Sequence, residues 1–414
     1  MPSTAALSTV LKNEYPLREP VANDAPRVVK AAKPTTVTGP RYQFNNDDVY
    51  SMLFNGVDSL ANNARLGESA LKAFERDAEI STKHVEAEAI QFPVSSDFVE
   101  AMVIGGMGPL AGNDMANKIF KAALKKTTPG TDQEHLPFSL LNQAHLIADR
   151  TTYYNSFKGD RNDKVAWSKY LTAKKRENPL WGVLELSRRA STAGAHLKVS
   201  PCNSIHNAHA VLAAESDVPY LHIADSVMYN LSKKYENREE PLNILIVGTA
   251  STVSGELYQN RAKDIAAKYS LPKINWVIPG KEAQDSITNG IYKGVKASDM
   301  TLAAKLIHKG EKLAIEKAKA DGIEVQLRGA FCTEIDPAEQ EMTPQQKDDF
   351  GKTTSLDATQ TLAEMAVDAS MALRQANDIL DARAIQELDK RNTRNKTCQH
   401  QNSDWHAAHL IPVP

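Results

Sequence analysis

Ala101-Met102-Val103-Ile104-Gly105-Gly106-Met107-Gly108-Pro109 is the stretch on which the fold turns. Four apolar residues run straight into a glycine loop, and a helical pattern follows. In that helix Met115, Ile119, Ala122 and Ala123 share one face, and lysines crowd the last turn, where cations suit the helix dipole. A short apolar run that passes through glycines into a helix reads as a buried strand opening an α/β unit. Outward from it, Phe138–Leu141, His196–Ser200, Leu242–Val247, Ile274–Ile278 and Val325–Phe331 read as further buried strands, with helical stretches between them. Strand alternating with helix predicts an α/β fold of mainly parallel sheets flanked by helices.

The flanks read differently. Residues 1–40 hold six prolines and many small or polar residues, an irregular arm. Residues 44–92 read mostly as helix, with Leu53, Val57, Leu60 and Ala61 forming an apolar stripe and an exposed, alanine-rich and charged stretch from Glu68 to Ala89. Residues 156–180 are polar, basic and weakly periodic, which predicts an inserted surface segment. After Arg383 the chain is polar and carries Cys398 and three histidines, an extension beyond the core.

Composition excludes several classes. A formal net charge of −2 leaves no basic excess for neutralising phosphates, so nucleic acid is not an expected partner. No apolar run approaches the roughly 18–20 residues of a membrane span, and no secretory signal is legible. Three cysteines are too few and too odd a set for a disulfide framework, so a reducing, cytoplasmic setting is expected.

Two cysteines stand where chemistry would be placed. Ser200-Pro201-Cys202-Asn203-Ser204-Ile205-His206 follows a strand and opens a helix expected to run to about Ser216. Unpaired N–H groups and the dipole at a helix start favour thiolate. Cys332-Thr333-Glu334 also ends an apolar run. Ligands of open α/β sheets bind beyond the carboxyl ends of the strands, so both thiols are candidates for one cleft. Gly106-Met107-Gly108 nearly fits a dinucleotide fingerprint, but Pro109 removes a loop N–H and no acidic residue stands near position 128 to hold a ribose. A carboxylate cradled by the loop fits better. Asp149-Arg150-Thr151-Thr152 and Lys296 place charge in loops. His206 and His209 are one helical turn apart, without the spacing of a metal site, so no metal is expected.

Together these motifs resemble the aspartate/glutamate racemase superfamily, its aspartate racemase branch most closely. Gly105-Gly106-Met107-Gly108-Pro109 resembles the branch's GGMGP loop, and Ile147-Ala148-Asp149-Arg150-Thr151 its IPDRT stretch, with alanine for proline. Pro201-Cys202-Asn203-Ser204-Ile205-His206 is similar to PCNTAH, which carries the first catalytic cysteine. Val247-Gly248-Thr249 through Thr252 to Tyr258-Gln259, then Ile291-Tyr292-Lys293-Gly294-Val295-Lys296, Cys332-Thr333-Glu334 and Asp357-Ala358-Thr359 resemble the later motifs in family order. The resemblance spans residues 99–372. Phe331 stands where a small residue such as glycine is usual, and Leu110-Ala111 replaces the usual Glu-Ala.

The resemblance implies two similar lobes, 96–215 with 345–383 and 216–344, between an N-terminal arm and helical extension (1–95) and a polar tail (384–414). It implies an amino-acid racemase, aspartate racemase first, that uses no cofactor and forms a homodimer. Cys202 and Cys332 would move protons on opposite faces of a small dicarboxylic amino acid. Arg150 and Lys296 would clamp its carboxylates. Gly106, Met107, Gly108, Asn203, Ser204, Thr249, Thr252, Thr333 and Glu334 would line the substrate. Glutamate racemase, hydantoin racemase, maleate isomerase and a non-catalytic protein on the same scaffold are the alternatives.

Overall fold

The computed structural model describes residues 42–60, 63, 65–68, 70–72, 99–160, 163–333 and 335–408. Two parallel sheets organise them. The first has three strands, β1 (Ala101–Ile104), β2 (Phe138–Leu141) and β3 (Leu197–Val199), in the order β2-β1-β3. Ala101 stands opposite both Phe138 and Leu197. The second has four, β4 (Leu242–Val247), β5 (Ile274–Val277), β6 (Leu327–Ala330) and β7 (Thr354–Asp357), in the order β5-β4-β6-β7. All pairings are parallel. All four residues of β1 are buried, which is why the strand is apolar without alternation.

The sheets share one core. Val103, Leu197, Ile244, Ile246 and Leu327 belong to the same buried cluster as Leu362, Leu373 and Leu380 of the C-terminal helix. Each fully buried aliphatic side chain there contributes about 1.5–3 kcal/mol. That helix, Ala358–Ala408, packs on helices Pro109–Thr127 and Ile223–Lys234. Met115, Ile119, Ala122 and Ala123 are all buried, as their shared face predicts.

Several expectations need revision. The segment 345–383 divides: β7 joins the second sheet, while the helix from Ala358 packs on the helix that follows β1. The helix after Cys202 is 3-10 over Asn203–Ala208 and α only over His209–Ala214. The segment 156–180 is more than surface. It contains helix Lys164–Leu171, Leu171 and Asn178 are buried, and Trp167 and Tyr170 pack into an aromatic cluster with Tyr153, Tyr154 and Phe157. Beyond Arg383 the chain continues as helix to Ala408.

At the N-terminal side, helix Asn46–Asn55 is closed by a capping box between Asn45 and Asp48. Its buried face is Val49, Tyr50 and Met52; Leu53 and Val57 are half-buried beside it and Leu60 is buried. Ala61, the arm before residue 42 and most of 68–89 lie outside the described residues. Among the described residues no helix is long and apolar enough to cross a membrane.

Candidate active site

The glycine loop, both cysteines and Thr249 sit just beyond the carboxyl end of a strand. Gly105-Gly106-Met107-Gly108 follows β1, Pro201-Cys202 follows β3, Gly248-Thr249 follows β4, and Phe331-Cys332 follows β6. Gly106 has φ +88°, and a Cβ there would meet the Gln143 backbone at 2.9 Å, so only glycine fits. The turn delivers Gly108 as N-cap and Pro109 as the first residue of helix Pro109–Thr127.

Cys202 is the extended N-cap of the 3-10 segment and is 6% exposed; its Sγ lies 3.5 Å from Ser204 Oγ. Ser204 and Asn203 are buried beside it. Cys332, also 6% exposed, follows the buried Phe331, and Thr333 is buried next to it. Among the described residues neither thiol is in a disulfide. Glu334 lies outside the described residues.

Contacts knit these strand ends together. Arg150, the first residue of helix Arg150–Asn155, is buried and donates from Nη2 to the Met107 carbonyl, which ties it to the glycine loop. Thr249 caps helix Ala250–Ser254; its hydroxyl lies 3.1 Å from that of Thr252. This short helix contacts both Arg150–Asn155 and the Cys202 segment. Phe331 N–H donates to the Val247 carbonyl at 2.7 Å, so the second cysteine's approach is fixed by β4.

Lys296 arrives by an unusual route. A π-helical turn over Gly290–Gly294 passes into a 3-10 turn over Val295–Ala297. A Cβ on Gly294 would come within 2.5 Å of the Ala303 backbone, so glycine permits the close packing of this turn. The Lys296 ammonium lies 3.9 Å from the Tyr292 ring centroid and 3.5 Å from Asp149 Oδ2, one residue from Arg150. Burial pushes the Asp149 carboxyl up, but hydrogen bonds from Thr152 and the Lys296 and Arg150 charges outweigh it and hold it below the usual value.

Sequence reasoning gave no role to three tyrosines and a histidine trio. Tyr154 is buried; burial keeps its phenol protonated, and thiolate charge at Cys202 pushes the same way. Tyr220 pairs its hydroxyl with Ser200 Oγ at 2.6 Å. Tyr258 donates its hydroxyl hydrogen to Asn203 Oδ1 and stacks on Phe331, so it touches the neighbour of each cysteine. His206, His209 and His222 cluster with ring centroids 4.6–5.5 Å apart. Burial, then mutual repulsion, pushes His206 down to about 3; burial takes His209 to about 4. As neutral rings they brace backbone, His206 against the Ser200 carbonyl at 3.1 Å and His209 against that of Tyr220 at 2.6 Å. The trio lines a cleft of about 1040 Å³ whose lining includes neither cysteine. Among the described residues no group of three or more His, Cys, Asp or Glu is placed to hold a metal ion.

The fold and site define an α/β protein whose candidate groups, two cysteines among them, gather at the strand ends of two parallel sheets. The family model of the Asp/Glu/hydantoin racemases matches residues 104–366, well over half of the chain. This chain belongs to that family. Among solved structures, it is similar to the Picrophilus torridus aspartate racemase, at 20% identity over 68% of this chain and 99% of that one, with a TM-score of 0.45. An aspartate racemase homologue from Pyrococcus horikoshii matches at 14% identity over 66% and 99%, TM-score 0.42. A glutamate racemase isoform from Bacillus anthracis matches at 12% over 64% and 79%, TM-score 0.38.

Proposed function

We propose that this protein is a cofactor-independent amino-acid racemase, acting first on aspartate, in which Cys202 and Cys332 exchange protons with Cα from opposite faces. The observation that carries this reading is the placement of two thiols at the ends of β3 and β6, one per sheet, with Tyr258 in contact with the residue next to each.

The chemistry sets the demands. An amino-acid Cα–H is a very weak acid, so charge arriving on the α-carboxylate must be met by fixed donors. One cysteine, as thiolate, takes the proton; the other, as thiol, delivers one to the far face. The roles exchange in reverse, which requires two groups of matched proton affinity. Asn203, Thr333 and the glycine-loop N–H groups hold the α-carboxylate in this reading. Arg150 suits a carboxylate by its planar fork, and Lys296 supplies a point charge for the second carboxylate. Lys296 then trades its Asp149 partner for substrate. Two lobes around this site, a homodimer and a cytoplasmic setting belong to the same proposal.

Proton NMR in D2O tests it, with purified protein and separate L-aspartate, D-aspartate, L-glutamate and D-glutamate. Loss of the aspartate Cα–H signal, with racemisation abolished in Cys202→Ala and in Cys332→Ala, supports the reading. Exchange with glutamate alone moves the substrate to the sister activity. Silence with all four, from folded protein with reduced thiols, removes the amino-acid racemase reading.

A further inference from the structure

A buried amide beside Cys202 has donors left over. Asn203 is 3% exposed, and its Nδ2 has no hydrogen-bond partner among the described residues. A primary amide carries two N–H donors on that nitrogen, and native proteins rarely bury such a group unmatched. Its Oδ1 is occupied, because the Tyr258 hydroxyl donates to it. Tyr258 is itself fully buried. Its ring stacks on Phe331 with centroids 3.5 Å apart and planes 11° apart, and Trp276 flanks it at 6.3 Å.

We propose that Tyr258 is a positioning residue: its hydroxyl fixes the orientation of the Asn203 amide, so that Nδ2–H, and not the amide oxygen, is presented to the substrate's α-carboxylate. The proposal rests on the racemase reading and assigns a role to a residue that touches no reacting atom. Turned over, the amide would offer its oxygen to the carboxylate and repel it. The Tyr258 hydroxyl hydrogen on Oδ1 favours the orientation with the oxygen turned away, and that hydrogen stays in place because burial, then the charges of Asp357 and Cys332, raise the phenol well above the ordinary value. An unpaired amide N–H next to a thiol suits a carboxylate oxygen. Because Phe331 precedes Cys332, the ring that orients the first half of the site is seated on the second half.

Tyr258→Phe keeps the ring and its stack and removes only the hydroxyl. The expected result is a kcat/KM for the preferred amino acid roughly tenfold to hundredfold lower, carried mainly by kcat, since charge grows on the carboxylate in the transition state. Asn203→Ala should fall at least as far, and the double variant no further than Asn203→Ala alone, because Tyr258 acts through Asn203. Chemical denaturation checks that each variant is folded. A parallel measurement needs no turnover: 15N–1H spectra of the full chain, with the Asn203 side-chain pair assigned by its loss in Asn203→Ala, titrated with malonate as a carboxylate probe. The pair should shift in the parent, and its malonate Kd should rise about tenfold in Tyr258→Phe. Tyr258→Phe within twofold of an active parent, or effects that multiply in the double variant, would overturn the proposal. An Asn203 pair unmoved by malonate would overturn it even in an active enzyme. A shift in a protein that exchanges no Cα–H would retain the anion site and remove only the racemase reading.

Discussion

Lys118 should be worth more to this protein at pH 8 than at pH 5. Its ammonium, on helix Pro109–Thr127, lies 2.6 Å from Asp114, 2.8 Å from Asp336 and 2.5 Å from Asp357. Asp336 belongs to helix Ile335–Gln340, just after Cys332, and Asp357 ends β7. One cation therefore ties the helix that follows the glycine loop to two segments of the second sheet. Burial pushes the Asp357 carboxyl up to about 6, even though Lys118 pulls it down. The unfolded carboxyl ionises near 3.8, so the folded state loses stability as pH rises through that window, by about 3 kcal/mol for this group. Lys118 itself is raised above the ordinary lysine value, so its own contribution is complete at every pH below 10.5. Replacing it by methionine strands three carboxylates around an apolar side chain. The cost at pH 8 should be about 3–5 kcal/mol. Without the lysine, the carboxylates take up protons more readily in the folded state, so the cost should shrink to roughly half at pH 5. Urea unfolding of parent and Lys118→Met at both pH values, followed by tryptophan fluorescence, measures this. A loss below about 1 kcal/mol at pH 8, or an equal loss at both, would refute the reasoning.

Two further perturbations address the site. Phe331 is fully buried against Tyr258, so Phe331→Ala should cost about 3–5 kcal/mol with an unchanged urea m-value; a shift equivalent to less than about 1.5 kcal/mol would mean that the stack is dispensable. Lys296→Met should raise the aspartate KM about tenfold or more while leaving far-UV circular dichroism unchanged, as expected for one lost charge-assisted hydrogen bond to substrate; an unaltered KM would remove Lys296 from the binding role.

Where burial was complete, the sequence was explicit. β1 occupies the apolar run at 101–104 because all four of its residues are hidden, whereas β2 and β4 fall on their runs at 138–141 and 242–247 although β2 is only half-buried and the two carry Ser139 and Asn243. β3 and β6 are shorter than their runs at 196–200 and 325–331, although Phe331 still donates its N–H to the Val247 carbonyl while its ring stacks on Tyr258. β7 escaped notice for the opposite reason. In Thr354–Asp357 only Leu356 is buried, and pairing with β6 rather than apolar pattern makes it a strand. The segment at 156–180 reads as surface, and most of it is, because Trp167 and Tyr170 are few among many charges, yet a handful of aromatic rings carries more packing than its share of the composition.

The candidate site was legible as motifs but not as an assembly. Cys202 stands out by its local company and Cys332, Arg150 and Lys296 by the family resemblance, whereas what joins them lies in pairs far apart in the chain. Asp149 meets Lys296 across 147 positions and Asn203 meets Tyr258 across 55. Neither pair has a periodicity, because a hydrogen bond between loops leaves no repeat in the sequence. Tyr258 shows the consequence. As sequence it closes one family-like motif without a role of its own, and its burial alone would make it core. Its hydroxyl changes that reading, since a buried phenol needs a polar partner and finds it in the amide next to Cys202. The ring then packs on the residue before Cys332, so the same side chain serves the hydrophobic core with its faces and the polar site with its edge.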